Sequence, residues 1–224
     1  MKYSKLFRKR RDDAYWMRKL PLLISFPRTG AHWLNCVLEV YFDRPRLRKR
    51  RVTFLDPNRE DWMWFHDHDL ALDAPRQQVF YFYRNPVETV FSNLAYSHHN
   101  PDCLVRPVPT LDFDSLPPDY IYEIADLYRR HLEHWLLGEN KAHSYAEFRD
   151  LKHNPETVFR KLSDFFEKPF DAAAMRRALD TVTKESIVER AAENELARGA
   201  RKELLGEDYA TRKQAFQERY GPEI

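Results

Sequence analysis

Cysteine, glycine, net charge and long apolar runs are all scarce in this chain of 224 residues, and each scarcity narrows what it can be. Its two cysteines, Cys36 and Cys103, stand in unrelated contexts without CxxC or metal-finger spacing. A disulfide framework is therefore not expected, and a reducing, cytoplasmic location fits better. With 5 glycines, 14 prolines and neither repeat nor low-complexity tract, residues 1–224 read as a single domain. The longest apolar stretch near the front, Pro21 to Phe26, falls far short of the roughly 20 residues that cross a bilayer. Basic residues interrupt the N-terminus, so no secretory leader is expected either. The 37 basic and 35 acidic residues leave a net charge of only +2. That gives no global field for gripping nucleic acid or an anionic membrane, so any anion site must be local. Residues 1–19 form a basic arm whose Lys9-Arg10-Arg11 cluster is either solvated or a peripheral contact for phospholipid or another polyanion.

What the chain does contain is apolar and aromatic material, 43% and 14% of its residues, beside 32% charged ones. This is the balance of a globular domain with one core and a water-facing exterior. A short apolar run, Leu22 to Phe26, ends at Pro27 and Gly30 and reads as a buried strand entering a loop. Trp33, Leu34, Val37, Leu38 and Tyr41 then recur at helical spacing until Asp43-Arg44-Pro45. A second strand, Gln78 to Tyr83, is rich in β-branched and aromatic residues and precedes a helix from Val87 to about Ser97. Shorter strands are expected at Trp62–His66 and Ala142–Tyr145, with helices at 120–137, 155–166, 172–179 and 208–219. Strands alternating with helices predict an α/β fold, a mostly parallel sheet with helices on both faces. Ligands in such sheets sit at the carboxyl ends of strands, so the loops after Phe26 and Tyr83 are where chemistry is expected.

The first loop reads Ser25-Phe26-Pro27-Arg28-Thr29-Gly30-Ala31-His32-Trp33-Leu34. A strand, a tight glycine turn and a helix start aim backbone N–H groups and the positive helix end at one point, which suits a phosphate. Arg28 adds a full charge and Thr29 a hydroxyl. The GxxxxGK[ST] spacing of nucleoside triphosphatases is missing, which disfavours a P-loop kinase or hydrolase working with nucleotide and Mg²⁺. After the second strand comes Tyr83-Arg84-Asn85-Pro86-Val87-Glu88-Thr89-Val90-Phe91-Ser92. A guanidinium fork and a hydroxyl eight residues on are sound ligands for a terminal monophosphate.

Together these motifs resemble those of sulfotransferases that use 3'-phosphoadenosine 5'-phosphosulfate (PAPS). That family carries Y-P-K-S-G-T-T-W in its 5'-phosphosulfate loop and R-N-P-x-D-x-x-x-S in its 3'-phosphate motif. Pro27, Gly30 and Trp33 match in place, Arg28 and Thr29 stand for the family's lysine and serine, and Arg84 and Ser92 keep the second motif's spacing. Ala31 and His32 replace two threonines, so His32 or backbone amides would supply the missing donors, and Glu88 replaces an aspartate. Arginine for lysine exchanges a titratable point charge for a planar fork whose pKa hardly moves. Ser144 to Thr157 is similar to the family's Y-E-D-L-x-x-x-P-x-x-x segment, and that resemblance implies that Tyr145 contacts the adenine ring. Residues 198–209 are similar, more loosely, to the R-K-G-x-x-G-D-W loop, offering Arg201 and Lys202 to the 3'-phosphate.

The resemblance implies a P-loop NTPase-like sulfotransferase fold and PAPS as donor, with adenosine 3',5'-bisphosphate (PAP) as product. It also implies a hydroxyl or amine acceptor of unspecified type and no metal. Transfer in line requires that the acceptor lose a proton, a task for histidine near neutral pH. The family places its base before the 3'-phosphate motif, where this chain has His66-Asp67-His68-Asp69. His66 and His68 point to one side of an extended segment, and either could be the base, His66 being slightly preferred. A rival reading takes these residues, with His98 and His99, as a metal site, but the sequence supplies no fixed second half for it. A second rival is a catalytically idle PAPS-fold module that binds a polyanion. The proline-rich stretch 100–118 is expected to be a lid over the acceptor site, and the oligomeric state is open.

Overall fold

The protein is described by a computed structural model over residues 15–47, 52–74, 78–100, 106–139, 141–192 and 209–224. The Lys9-Arg10-Arg11 cluster, Cys103, Arg201 and Lys202 lie outside the described residues.

Strand β1 (Leu22–Ser25), with all four residues buried, is the middle of a parallel sheet. The others are β2 (Arg46–Leu47), β3 (Trp64–Asp67), β4 (Val79–Tyr83) and β5 (Ser144–Glu147), in the order β2-β3-β1-β4-β5. The helices in chain order are α1 (Ala31–Phe42), α2 (Pro86–His99), α3 (Asp119–Leu132), α4 (Phe148–His153), α5 (Pro155–Phe165), α6 (Ala172–Thr181), α7 (Lys184–Ala192) and α8 (Tyr209–Tyr220). A π-helical turn, Glu133–Leu137, continues α3.

The apolar runs of β1 and β4 are continuous because helices cover both faces of the sheet. Leu23, Trp64, Phe80 and Phe82 face one way and pack with Leu34, Val37 and Leu38 of α1 and Phe159 and Leu162 of α5. Leu22, Ile24, Phe65 and Tyr81 face the other way, around Trp135 of the π turn. A third cluster joins Phe26 to Phe91 of α2, Tyr128 of α3 and Phe216 of α8.

Two strands are displaced from their expected positions. Backbone pairing of Leu22 with Phe65 and Ile24 with Asp67 carries β3 through Asp67 rather than starting it at Trp62. Pairing of Phe80 with Ser144 and Tyr83 with Glu147 likewise moves β5 two residues on. The dipeptide β2 and the single-turn α4 have too few residues to show a period, and α7 was also not anticipated. The described part of the expected lid is anchored, since Val108 and Leu116 are buried in the third cluster. Among the described residues no helix is long and apolar enough to cross a membrane. Because the strands are parallel, the ends of β1, β3 and β4 open at one edge, bringing three distant loops together.

Candidate active site

The loop leaving β1 turns through two residues of positive φ, Arg28 at 70° and Gly30 at 92°. Gly30 is needed on two counts: its φ is unfavourable for other residues, and a Cβ there would lie 2.5 Å from the Phe148 ring. Thr29 is fully buried and its hydroxyl donates to the Phe26 carbonyl at 2.9 Å, bracing the turn rather than facing outward. A buried hydroxyl must take the acceptor within reach. Asn93 of α2 holds the loop from the other side by donating to the Pro27 carbonyl at 3.0 Å. Helix α1 then starts at Gly30 with no side chain capping it and no acid in its first turn. Its first N–H groups and positive dipole end are therefore directed at the loop. Ala31 is buried and His32 exposed.

One face of α2 collects the cations. Glu88, Ser92 and Tyr96 follow one another at four-residue spacing, and hence line one side of the helix. Arg28 Nε donates to Ser92 Oγ at 3.3 Å, and its guanidinium lies 4.6 Å from the Tyr96 ring centre. One turn earlier, Arg84 Nε donates to Glu88 at 3.0 Å, and Lys213 of α8 pairs with the same carboxylate. Partial burial pushes Glu88 up, but Lys213 and Arg84 outweigh that and hold it below the usual carboxylate value. Tyr128 fixes the Arg84 backbone, donating to its carbonyl at 2.6 Å. Arg28 and Ser92 are thus in contact and Arg84 pairs with Glu88 on the same helix, whereas Asn93, Tyr96, Tyr128 and Lys213 carried no recognisable signal.

Tyr145 pairs across from Tyr81, on the sheet face opposite Phe82 and Ala146, and is 43% exposed. The aromatic ring beside the loop is Phe148, edge-on to Trp33 at 5.9 Å and 4.9 Å from the Arg84 guanidinium. The signal was in the spacing: Phe148-Arg149-Asp150-Leu151 precedes Pro155 as Y-E-D-L precedes proline. Trp33 is fixed by its indole N–H, which donates to the Val182 carbonyl at 2.8 Å.

At the end of β3 both histidines turn to Ser25. His66 Nε2 is 3.1 Å from Ser25 Oγ, and His68 Nδ1 is 2.7 Å from the Ser25 carbonyl. A carbonyl only accepts, so His68 Nδ1 carries the hydrogen and Nε2 the lone pair. Beyond them Asp69 is buried, its Oδ1 accepting from Asp73 and Ala74 N–H; burial pushes it up to about 6. His98 is tied to the Val108 carbonyl at 3.0 Å. Among the described residues, no three His, Cys, Asp or Glu side chains are grouped to hold a metal ion.

A glycine turn entering a helix at the carboxyl edge of a parallel sheet, with arginines from two loops beside it, defines an α/β protein of P-loop-like architecture. The sulfotransferase domain family matches residues 20–218, and the chain belongs to that family. Among solved structures, mouse sulfotransferase SULT7A1 complexed with PAP has the same fold, with a TM-score of 0.53 at 15% identity. The match covers 89% of this chain and 81% of that one. A search of curated proteins finds no match.

Proposed function

We propose that the protein transfers the sulfuryl group of PAPS in line to an acceptor hydroxyl or amine, with His68 as the base. The observation carrying this choice is the 2.7 Å contact of His68 Nδ1 with the Ser25 carbonyl, which sets the tautomer whose Nε2 takes a proton. His66, held through Ser25 Oγ, is the neighbour that contacts the moving group.

In this reading Arg28 and the start of α1 take the 5'-phosphosulfate, Arg84 and Ser92 the 3'-phosphate, and Trp33 with Phe148 the adenine. Ala31 contributes only its N–H, and Thr29 supports the turn. As the acceptor attacks sulfur, its proton passes to His68 Nε2. The bond from sulfur to the bridging oxygen breaks, and its electron pair stays on the departing 5'-phosphate. Arg28 and the helix end stabilise that charge without donating a proton, since a guanidinium is charged at every working pH.

The test is transfer of labelled sulfate from PAPS to a panel of phenol, alcohol, sugar and amine acceptors by wild type, His66→Ala and His68→Ala. His68→Ala should lose about 10²-fold or more in kcat, the usual scale of a general base, with PAP affinity unchanged. Wild-type turnover in His68→Ala would refute the assignment.

A further inference from the structure

One buried titratable side chain is left over by this chemistry. His131, on α3 and in no motif, is 1% exposed and touches the segments after β1 and β3 and strand β4 itself. Its Nε2 lies 2.8 Å from the His68 carbonyl, so Nε2 must carry the hydrogen. Nδ1 therefore accepts, and its partner is the Tyr81 hydroxyl of β4 at 2.8 Å. The Phe26 ring, where the β1 loop begins, packs edge-on against the imidazole at 5.4 Å. Burial depresses the imidazole to about 4, so it stays neutral and keeps this hydrogen-bond polarity at neutral pH.

An imidazole buried at this depth is costly compared with leucine, and that cost is offset only by its two hydrogen bonds. One of them ends on the peptide that carries His68. That residue is thus held at its ring by Ser25, at its N–H by Asp67 and at its carbonyl by His131. We propose that His131, its tautomer set by the His68 carbonyl and its Nδ1 held by the Tyr81 hydroxyl, is a positioning residue that fixes the His68 peptide relative to the donor loop. The inference rests on the reading of His68 as the base.

The experiment uses ¹⁵N-histidine-labelled full-length protein saturated with PAP, with side-chain NMR of wild type, His131→Leu, His131→Gln and Tyr81→Phe. In wild type one ring should remain an Nε2–H tautomer at neutral pH. In His131→Leu the His66 and His68 ring signals should shift and broaden, with PAP affinity changed by less than about twofold. The carboxamide of His131→Gln can donate where Nε2 did, and should restore both signals. Where an acceptor from the panel is turned over, kcat of His131→Leu should fall about tenfold or more with KM for PAPS unchanged, as a misplaced base requires. Unchanged His66 and His68 signals in His131→Leu would overturn the inference. Should that variant fail to bind PAP, Tyr81→Phe decides: wild-type spectra and turnover there overturn it as well. Loss of turnover in His68→Ala beside normal spectra in His131→Leu refutes only the positioning role. Full turnover in His68→Ala refutes the base assignment itself.

Discussion

Arg28 holds a φ of 70°, a conformation that costs a non-glycine residue roughly 1–2 kcal/mol. The strain is set against its contacts with Ser92 and Tyr96, each worth on the order of 1 kcal/mol. Arg28→Gly relieves the first and loses the second, and it also loosens the unfolded chain. Thermal denaturation of this variant should therefore give a Tm within a few degrees of wild type, while PAPS turnover falls at least about 10²-fold, the scale of one lost charge-stabilising group. A large drop in Tm would mean that Arg28 is part of the framework rather than of the site.

At the scale of elements, the site is a meeting of helix faces with strand ends. Helix α2 presents Glu88, Ser92 and Tyr96 on one side, and α8 reaches that side through Lys213. Glu88 occupies the cations Arg84 and Lys213 that an incoming phosphate would also use. Substitutions on either side of that contest should act with opposite sign. Lys213→Gln should weaken PAP binding about tenfold in titration calorimetry, and Glu88→Gln should strengthen it, because charge-assisted bonds to phosphate are at stake. Neither should alter binding of AMP, which lacks the 3'-phosphate. Equal effects on both nucleotides would place the pair elsewhere.

The elements most readable in the sequence are those with a long period or a turn marker. Continuous apolar β1 and β4, and α1 and α2 beginning at Gly30 and Pro86, could be read because each is long or clearly bounded. The one-turn α4 could not, and with it went the position of Phe148 beside Trp33, which follows from β5 ending at Glu147. The expectation for Tyr145 rested on its motif, and an aromatic residue in a motif does not reveal which sheet face it occupies. That depends on register, and one residue of slip reverses it. His131 and Asn93 were invisible for another reason. They act through backbone carbonyls brought near only by the fold.

For the whole molecule, two buried groups near the His68 segment make opposite contributions to stability across one pH window. His131 is lowered from 6.5 to about 4, so its contribution is complete above 6.5 and is lost as pH falls toward 4. Asp69 is raised from 3.8 to about 6, so its contribution is complete below 3.8 and is lost as pH rises through 6. Tm between about pH 4 and 6.5 should then be nearly flat in the wild type as far as this pair is concerned. Relative to it, Asp69→Asn should show a Tm that rises with pH, exposing the histidine. His131→Gln should show one that falls, exposing the aspartate. Parallel profiles in all three proteins would show that burial shifts the titration of neither group.

The central claim is that the loops after β1 and β4 form one site for a nucleotide with both a 5' and a 3' phosphate. Calorimetric titration of PAP and AMP into wild type and Arg84→Ala tests it without knowledge of the acceptor. The account predicts one PAP per chain, bound at least about tenfold more tightly than AMP, with the difference abolished in Arg84→Ala. PAP binding no more tightly than AMP, or a preference for Mg²⁺-ATP over both, would contradict it.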